Sequence, residues 1–185
     1  MALVQDKLYL TLGAKLSHNS YTHFEMQPSI RMLMLPTDDT ALWAAVSRAV
    51  RTPTRASEDL LLLGPALPAP PFPPNTPVSV VGNRNMGSEE LIAYEIGYRR
   101  QQTANLSWDA AGFYNVYEDL LATRNVVPPI GLPVMEFFNG GSADVYGLEI
   151  SSEWRVNCRW QIRAWYTYLK IKSKYDDSAT QLPEN

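Results

Sequence analysis

The chain has 185 residues, enough for one domain, with a hydrophobic fraction of 45% and a formal net charge of −3. It contains no run of about 18 apolar residues, which excludes a transmembrane helix, and no basic stripe that would indicate a nucleic-acid partner. Cys158 is the only cysteine, which excludes an internal disulfide and a Cys-x-x-Cys metal site.

Residues 7–16 alternate apolar and polar side chains in the rhythm of a β-strand. Every even position from Leu8 to Leu16 is apolar, and the odd positions hold polar or small residues with one tyrosine. Since side chains alternate across a strand, one face of this strand is apolar and the other is not. Strands of about ten residues with this alternation, with aromatic residues near their ends, are typical of a transmembrane β-barrel.

The same alternation recurs six more times, always with the apolar residues at even positions. Pro28 lies inside the second predicted strand and cannot donate a ladder hydrogen bond, so we expect a bulge or weak pairing there. The further predicted strands are 24–34, 41–50, 89–101, 107–117, 143–154 and 160–171.

The connections between predicted strands alternate between long and short. Short turns are predicted at 36–40, 102–106 and 155–159, and long loops at 52–87 and 118–142. In outer-membrane barrels the short connections are periplasmic and the long ones extracellular. Three tryptophans would then lie at the periplasmic rim, where an aromatic girdle belongs: Trp108, Trp154 and Trp160.

The loop at 52–87 contains a proline-rich segment, 64–77, which holds seven of the 14 prolines. Such a segment favours an extended polyproline conformation and cannot form a sheet strand. A loop of this length is functional or mobile in most proteins. A linker between two domains is the competing interpretation, although the strand rhythm is the same on both sides.

These patterns predict an all-β fold, an antiparallel up-and-down transmembrane β-barrel arc of about seven strands. A complete bacterial barrel has an even number of strands and no free edge. The first six residues lack the basic start, apolar core and cleavage site of a signal peptide. We therefore expect the chain to be part of a larger barrel.

Six segments resemble the β-barrel domain of TonB-dependent outer-membrane receptors in their order and spacing. The resemblance extends over about residues 5–172. The six segments are LTLGAKLSHN at 10–19, QPSIR at 27–31, LWAAVSRAVRTP at 42–53, SEELIAYEIGYR at 88–99, FYNVY at 113–117 and YGLE at 146–149.

This resemblance implies a 22-stranded barrel, closed by a plug domain, that imports scarce nutrients of the ferric siderophore, haem or cobalamin class. Import would be energised through TonB in the full-length protein. Residues 1–185 would then be a partial barrel domain in the bacterial outer membrane, without plug, signal peptide or final strands. Expected partners are outer-membrane lipid and lipopolysaccharide, a nutrient chelate, and TonB and the plug in the full-length protein. No nucleic acid, cofactor or metal is expected.

Candidate binding residues fall into two sets. Charged residues on the predicted lumen face are Arg31, Arg51, Glu95, Arg99 and Glu149. They would contact ligand or plug, although charges lining a water-filled interior more often satisfy one another. Aromatic residues of the two long loops offer surface for ligand capture, because extracellular loops carry recognition on a rigid scaffold: Phe72, Phe137 and Phe138.

Other polar residues carry weaker hypotheses. Arg48 breaks the alternation and falls on the lipid face near the outer rim. With Arg51 it would hold the plug or bind lipopolysaccharide. His18 and His23 flank the first loop, where imidazoles can bind metal or haem, but solvated histidines are the more ordinary interpretation. No nucleophile–base pair, phosphate-binding loop or metal-ligand spacing is present, so no enzyme is predicted.

Two other classes of protein remain open at this stage. A passive outer-membrane channel would share the alternation, and a soluble β-sandwich binding module would use the even face as its core. Predicted strands of about ten residues, against 5–6 in most globular sheets, favour the barrel. Detergent dependence would separate the sandwich from the barrel, and a plug would separate the receptor from the channel.

Overall fold

A computed structural model of the protein describes residues 2–4, 7–63, 79–126 and 134–176. These residues form one ten-stranded sheet and one short helix. This helix of the described residues is not long and apolar enough to cross a membrane. The elements are β1 (Ala2–Val4), β2 (Leu8–Asn19), β3 (His23–Thr37), β4 (Thr40–Arg51), α1 (Arg55–Asp59), β5 (Leu61–Leu63), β6 (Ser79–Val81), β7 (Glu89–Thr103), β8 (Leu106–Val126), β9 (Val134–Asn157) and β10 (Trp160–Tyr175).

The seven predicted strands are confirmed as the seven long ones, β2, β3, β4, β7, β8, β9 and β10. Each pairs antiparallel with its neighbour, and the sheet curls into a half-barrel. Three short strands were not predicted. β1 pairs with the start of β2, and the β5–β6 hairpin pairs through β6 with the start of β9, in parallel.

The register keeps even residues on one face across the whole sheet. Leu12 lies opposite Ile30, Ile30 opposite Val46, Val46 opposite Tyr94, and Tyr94 opposite Tyr114. Cross-strand partners share a face, so the apolar positions of the long strands join into one surface. We call this surface, formed by even residues of the long strands, the apolar face, and the opposite surface of odd residues the polar face.

The apolar face is uncovered. Phe24 is 81% exposed, Leu16 73% and Leu12 70%, and none of the described large side chains is fully buried. A soluble protein rarely exposes a continuous apolar surface of this extent, whereas the outside of a membrane barrel has an apolar band of this kind. The arrangement therefore supports the barrel and not the sandwich, in which a second sheet would cover this face.

Two-residue turns join the long strands at one end of the sheet, as predicted: Asp38-Asp39, Ala104-Asn105 and Cys158-Arg159. Backbone hydrogen bonds of 2.8 Å connect these ends, from the Gln101 N–H to the Asp39 carbonyl and from the Arg155 N–H to the Asn105 carbonyl. The even-numbered Trp108, Trp154 and Trp160 all lie near these turns. We call this end of the sheet the turn end, and the opposite one the loop end.

Two local predictions were wrong. The first loop-end connection is only residues 20–22, so the alternation of long and short connections fails there. The predicted loop at 118–142 is mostly strand, because β8 continues to Val126 and β9 begins at Val134.

The prediction of a bulge or weak pairing at Pro28 is confirmed in its second form. Pro28 lies in register with Ala14 without a bulge, but the β3–β4 ladder ends beside it, at Ser29 and Ser47. The residue that lacks an N–H thus stands where the pairing with β4 stops.

The β4–β7 connection folds back onto the sheet. Thr54 caps helix α1: its hydroxyl accepts the Ser57 N–H at 3.2 Å, and the Ser57 hydroxyl accepts the Thr54 N–H at 3.1 Å. Backbone hydrogen bonds then fix Gly82 to Leu60 and Asn83 to Ser57. Both flanks of the proline-rich segment thus join the same sheet, while the segment itself, 64–77, lies outside the described residues.

Acid is expected to loosen the β3–β4 turn. The Thr37 and Thr40 hydroxyls donate to Asp39 Oδ1 at 2.5 and 3.0 Å and lower the pKa of its carboxyl below the usual value. A lowered pKa means that the ionised turn is stabilised at neutral pH and loses this stabilisation as the pH falls through the folded-state pKa, below about 4. Amide exchange of residues 38–40 should therefore lose protection only in that acid range. Thr37→Val/Thr40→Val should raise the Asp39 pKa, and an unchanged value would contradict the assignment.

Candidate functional site

The charges of the polar face nearest the turn end satisfy one another. Arg99 Nε donates to Asp109 Oδ2 at 2.7 Å, and Glu153 accepts Arg163 Nε at 3.1 Å and Arg155 Nη2 at 3.2 Å. Most of these groups line a cavity of about 490 Å³ on the concave polar face. Arg99, a predicted site residue, is thus held by a neighbouring strand.

Further toward the loop end, three charged residues of the polar face have no such partner. Within the described part of the chain, neither hydrogen bond nor ion pair engages Arg31, Glu95 or Glu149. Arg31 and Glu95 lie in one row across the sheet, each opposite Ala45 of β4, which places their backbones about 10 Å apart. All three are exposed. These three charges of the polar face are available to another molecule.

An aromatic ring covers the polar face beside these charges. Trp43 of β4 lies opposite Gly97 of β7, and its indole occupies the space where a side chain of Gly97 would stand. Gly97 is buried under this ring. The odd number of Trp43 places it on the polar face, but its contact with Gly97 depends on the register between two strands that are separated by the long connection.

Arg51 closes the polar face at the loop end. Its Nη1 lies 3.1 Å from Glu89 Oε2, and Glu89 Oε1 accepts the Leu121 N–H at 2.9 Å. One carboxylate therefore connects β4, β7 and β8. This arrangement makes Arg51 part of a bridge between strands, with 68% of its side chain still exposed.

Phe138 lies in a small buried cluster of the β8–β9 extension. Phe138 and Ala122, which lie opposite each other on β9 and β8, are each 8% exposed. The Arg124 guanidinium lies 5.1 Å from the Phe138 ring centre and forms an ion pair of 2.7 Å with Glu136. Phe137 is half-buried, and Phe72 lies outside the described residues. The predicted site residues that the structure describes therefore occupy four separate places rather than one cluster.

Asn139 connects the two long excursions of the chain, and sequence reasoning missed it. Its Oδ1 accepts the Gly87 N–H at 2.8 Å, and its Nδ2 donates to the carbonyls of Gly87 at 3.2 Å and Asp119 at 2.7 Å. Asp119 has a left-handed backbone, φ 56°, at a β-bulge of β8. No local pattern marks Asn139, because its partner Gly87 is distant in sequence.

Arg48 lies on the apolar face, as predicted, and has a partner there. Its guanidinium forms two hydrogen bonds with the Glu90 carboxylate, at 2.7 and 2.8 Å, and a third with the Met26 carbonyl at 2.5 Å. Both charged side chains have even numbers and lie on adjacent strands. The sequence therefore held a signal for this pair, because Arg48 and Glu90 both place a charge at an even, otherwise apolar position near the same end of the sheet.

Removal of Glu90 alone should destabilise the protein more than removal of the pair. Glu90→Leu leaves Arg48 unpaired near the edge of the apolar face, which costs about 1 kcal/mol there. Arg48→Leu/Glu90→Leu should recover most of that loss, because no unpaired charge remains. Urea unfolding in lipid vesicles measures the free energy of unfolding of the single and the double variant. A double variant less stable than Glu90→Leu would contradict the pairing.

The two histidines do not share an evident site. His18 packs against Phe24, with ring centres 4.7 Å apart, whereas the His18 and His23 rings are 6.4 Å apart. His23 has a left-handed backbone, φ 62°, at the turn after residue 22. Their place in the first hairpin is accounted for by turn geometry and ring packing.

Comparison with known proteins identifies the family. The family model of TonB-dependent receptor-like β-barrels matches residues 2–185. The chain belongs to this family. The family resides in the outer membrane of Gram-negative bacteria, and it consists of transporters and receptors. The resemblance found in the sequence is thus confirmed.

Solved structures of this family share the fold. The siderophore receptor PirA from Acinetobacter baumannii is 18% identical, with a TM-score of 0.75 over 90% of this chain and 26% of its own. A variant of the ferric enterobactin receptor PfeA from Pseudomonas aeruginosa, in complex with enterobactin, is 19% identical, with a TM-score of 0.74 over 89% and 25%. The FrpB iron transporter from Neisseria meningitidis is 15% identical, with a TM-score of 0.64 over 95% and 25%.

The chain thus spans about a quarter of the length of these receptors. Among curated proteins, the comparison finds no match.

Proposed function

We propose that the chain forms part of the wall of an outer-membrane active-transport receptor for a scarce nutrient carried in a chelate. The nutrient belongs to the ferric siderophore, haem or cobalamin class, and TonB energises its import in the full-length protein. One observation carries the proposal: seven long strands keep an uncovered apolar face and a charged polar face in strict register. A wall between lipid and an aqueous interior requires this division.

The solved relatives support the class of cargo. By their names they are siderophore and iron receptors, and one was solved with enterobactin. The partners proposed for the full-length protein are the plug, TonB, lipopolysaccharide and the chelate.

The predicted polar-face residues have different proposed roles. Arg31, Glu95 and Glu149 contact the plug or the passing chelate, because their charges are exposed and unpaired within the described residues. Arg99 instead holds β7 to β8 through Asp109, and Arg51 holds the loop end through Glu89. Phe137 and Phe72 are proposed to contact the chelate, and Phe138 to support the extension that presents them.

Uptake of labelled chelates by cells that express the complete receptor tests the proposal. The probes are ferric enterobactin, haem and cyanocobalamin, each measured with and without functional TonB. We expect saturable, TonB-dependent uptake of one probe, reduced at least tenfold by Glu95→Ala/Glu149→Ala. Lys15→Gln, also on the polar face, is the matched control and should retain uptake. Uptake that persists unchanged without TonB would contradict active transport and indicate a passive channel.

A further inference from the structure

Asn139 is the only asparagine of the chain that a glycine follows. Asparagine is a thermally labile residue, and it is most labile before glycine, because no Cβ atom hinders attack by the glycine nitrogen on the side-chain carboxamide. In that attack the amide nitrogen leaves as ammonia and a cyclic succinimide forms, which water opens to aspartate or isoaspartate. The most reactive asparagine position of the chain thus lies where Asn139 connects the two long excursions.

The structure requires both residues of this pair. The Asn139 carboxamide must accept and donate at once, since its Oδ1 accepts the Gly87 N–H and its Nδ2 donates to the Gly87 and Asp119 carbonyls. Gly140 is buried, and a Cβ atom at this position would overlap the Phe138 ring. Neither residue can therefore be replaced by a chemically more stable one without the loss of a contact.

The same hydrogen bonds protect the pair from reaction. For the attack, the Asn139 side chain must rotate until its Cγ meets the Gly140 nitrogen, and this rotation breaks its hydrogen bonds to Gly87 and Asp119. Three hydrogen bonds to backbone groups keep such an open arrangement at on the order of one molecule in 100. The reaction is therefore limited by release of the β4–β7 connection from Asn139.

The backbone at Gly140 has the freedom that ring closure needs. Two consecutive residues of β8, Leu120 and Leu121, lie opposite the ends of three residues of β9, 139–141. Gly140 is thus the extra residue of a β-bulge and has no partner residue on β8. Asn139 is only half-buried, so water reaches the pair. After release, the reaction requires no unfolding of the barrel wall.

We propose that Asn139–Gly140 is a site of spontaneous deamidation that turns release of the β4–β7 connection into a permanent change. The Gly140 nitrogen loses its proton and bonds to Asn139 Cγ, ammonia leaves, and one water completes the conversion to aspartate or isoaspartate. A carboxylate only accepts hydrogen bonds, so both bonds donated by Nδ2 are lost and the carbonyls of Gly87 and Asp119 repel the new charge. The connection then cannot rebind as before, whichever nutrient the receptor imports.

The protection is tested by peptide mapping with mass spectrometry, which detects the mass change when the amide becomes an acid. The complete receptor in lipid vesicles and a synthetic peptide of residues 136–142 are incubated together at mildly alkaline pH. We expect Asn139 to convert on the order of 100-fold more slowly in the receptor than in the peptide. Equal rates would overturn the proposal, because the fold would then not control the reaction.

Two substitutions of Gly87 test the control by release without altering the reacting pair. Gly87→Pro removes the N–H that donates to Asn139 Oδ1 and should accelerate the conversion of Asn139 about fivefold. Gly87→Ala keeps this N–H, and its Cβ atom would meet only Asn139 Oδ1, at 3.9 Å. It is the matched control and should convert as the parent does. Equal rates in the two variants would overturn the proposal.

The permanence of the change is tested with a variant that imitates the product. Asn139→Asp should accelerate amide exchange of residues 79–88, and so should parent receptor that has converted at Asn139 on storage. Asn125→Asp adds the same charge to the same β8–β9 extension and should leave this exchange unchanged. Exchange at 79–88 that is equal in Asn139→Asp and in the unconverted parent would overturn the proposal.

Discussion

Replacement of Gly147 by alanine is expected to break the pairing of β9 with β10. A Cβ atom at this position would overlap the Tyr168 carbonyl oxygen and stand 2.6 Å from Phe113 Cζ. The phenyl ring can rotate, but the carbonyl belongs to the ladder in which Tyr168 lies opposite Leu148. The strand must therefore shift, and we expect a loss of about 3 kcal/mol or more in the free energy of unfolding. Urea unfolding in lipid vesicles measures this loss.

Gly112 provides the matched control for Gly147. The two glycines lie on neighbouring strands, β8 and β9, but a Cβ atom at Gly112 would make only ordinary contacts, with Ile96 Cγ2 at 3.7 Å and the Gly147 carbonyl oxygen at 3.9 Å. Gly112→Ala should therefore change stability by about 0.5 kcal/mol at most. Equal effects of the two substitutions would contradict the close approach of Tyr168 as the cause of the loss, because the removal of glycine flexibility by itself favours the folded state.

The seven long strands were predictable because a single physical requirement repeats in each of them. A strand between lipid and water must alternate apolar and polar side chains for about ten residues, and Leu8 to Leu16 shows this pattern without interruption. Tight turns then preserve the parity, since a slip by one residue would place every apolar side chain on the wrong face. The shared face of Leu12, Ile30 and Val46 follows from this requirement, and the structure places the three residues in one row.

The loop-end extension of β8 and β9 was not predictable, because the alternation of apolar and polar residues is interrupted there. Beyond Tyr117, β8 and β9 each contain a bulge, and Asp119 takes a left-handed backbone there. A bulge re-aims the side chains that follow it, and the even-numbered Ala122 and Phe138 become buried. Past that point no lipid constrains the pattern, so alternation no longer reveals a strand.

The candidate site was predictable as a face but not as a set of contacts. Parity alone placed Arg31, Glu95, Arg99 and Glu149 on the polar face. It could not show that Arg99 meets Asp109 at 2.7 Å while Glu95 stays free, because that depends on which residues of adjacent strands stand opposite each other. Pairing partners follow from register, and register depends on turn lengths that had to be seen.

Replacement of Asn139 by alanine is expected to release the β4–β7 connection from the β8–β9 extension. The substitution removes three hydrogen bonds to backbone groups of Gly87 and Asp119. At a net contribution of about 1 kcal/mol each, the local loss is about 2–3 kcal/mol. Exchange of the Gly87 amide, which donates to Asn139, should accelerate on the order of 100-fold by local opening. Hydrogen exchange of residues 79–88 followed by mass spectrometry measures the effect.

Asn125→Ala is the matched control for Asn139→Ala, because Asn125 lies in the same β8–β9 extension and lacks these contacts. Its side chain makes no hydrogen bond with a described residue, so Asn125→Ala should leave exchange at 79–88 unchanged. Global unfolding should hardly change in Asn139→Ala, because the β4–β7 and β7–β8 ladders do not include residues 79–88. Faster exchange throughout β7 and β8 would contradict a local role. An effect confined to 79–88 would show that Asn139, together with the β6–β9 pairing, holds the two loop-end excursions to each other above a barrel wall that is stable without this side chain.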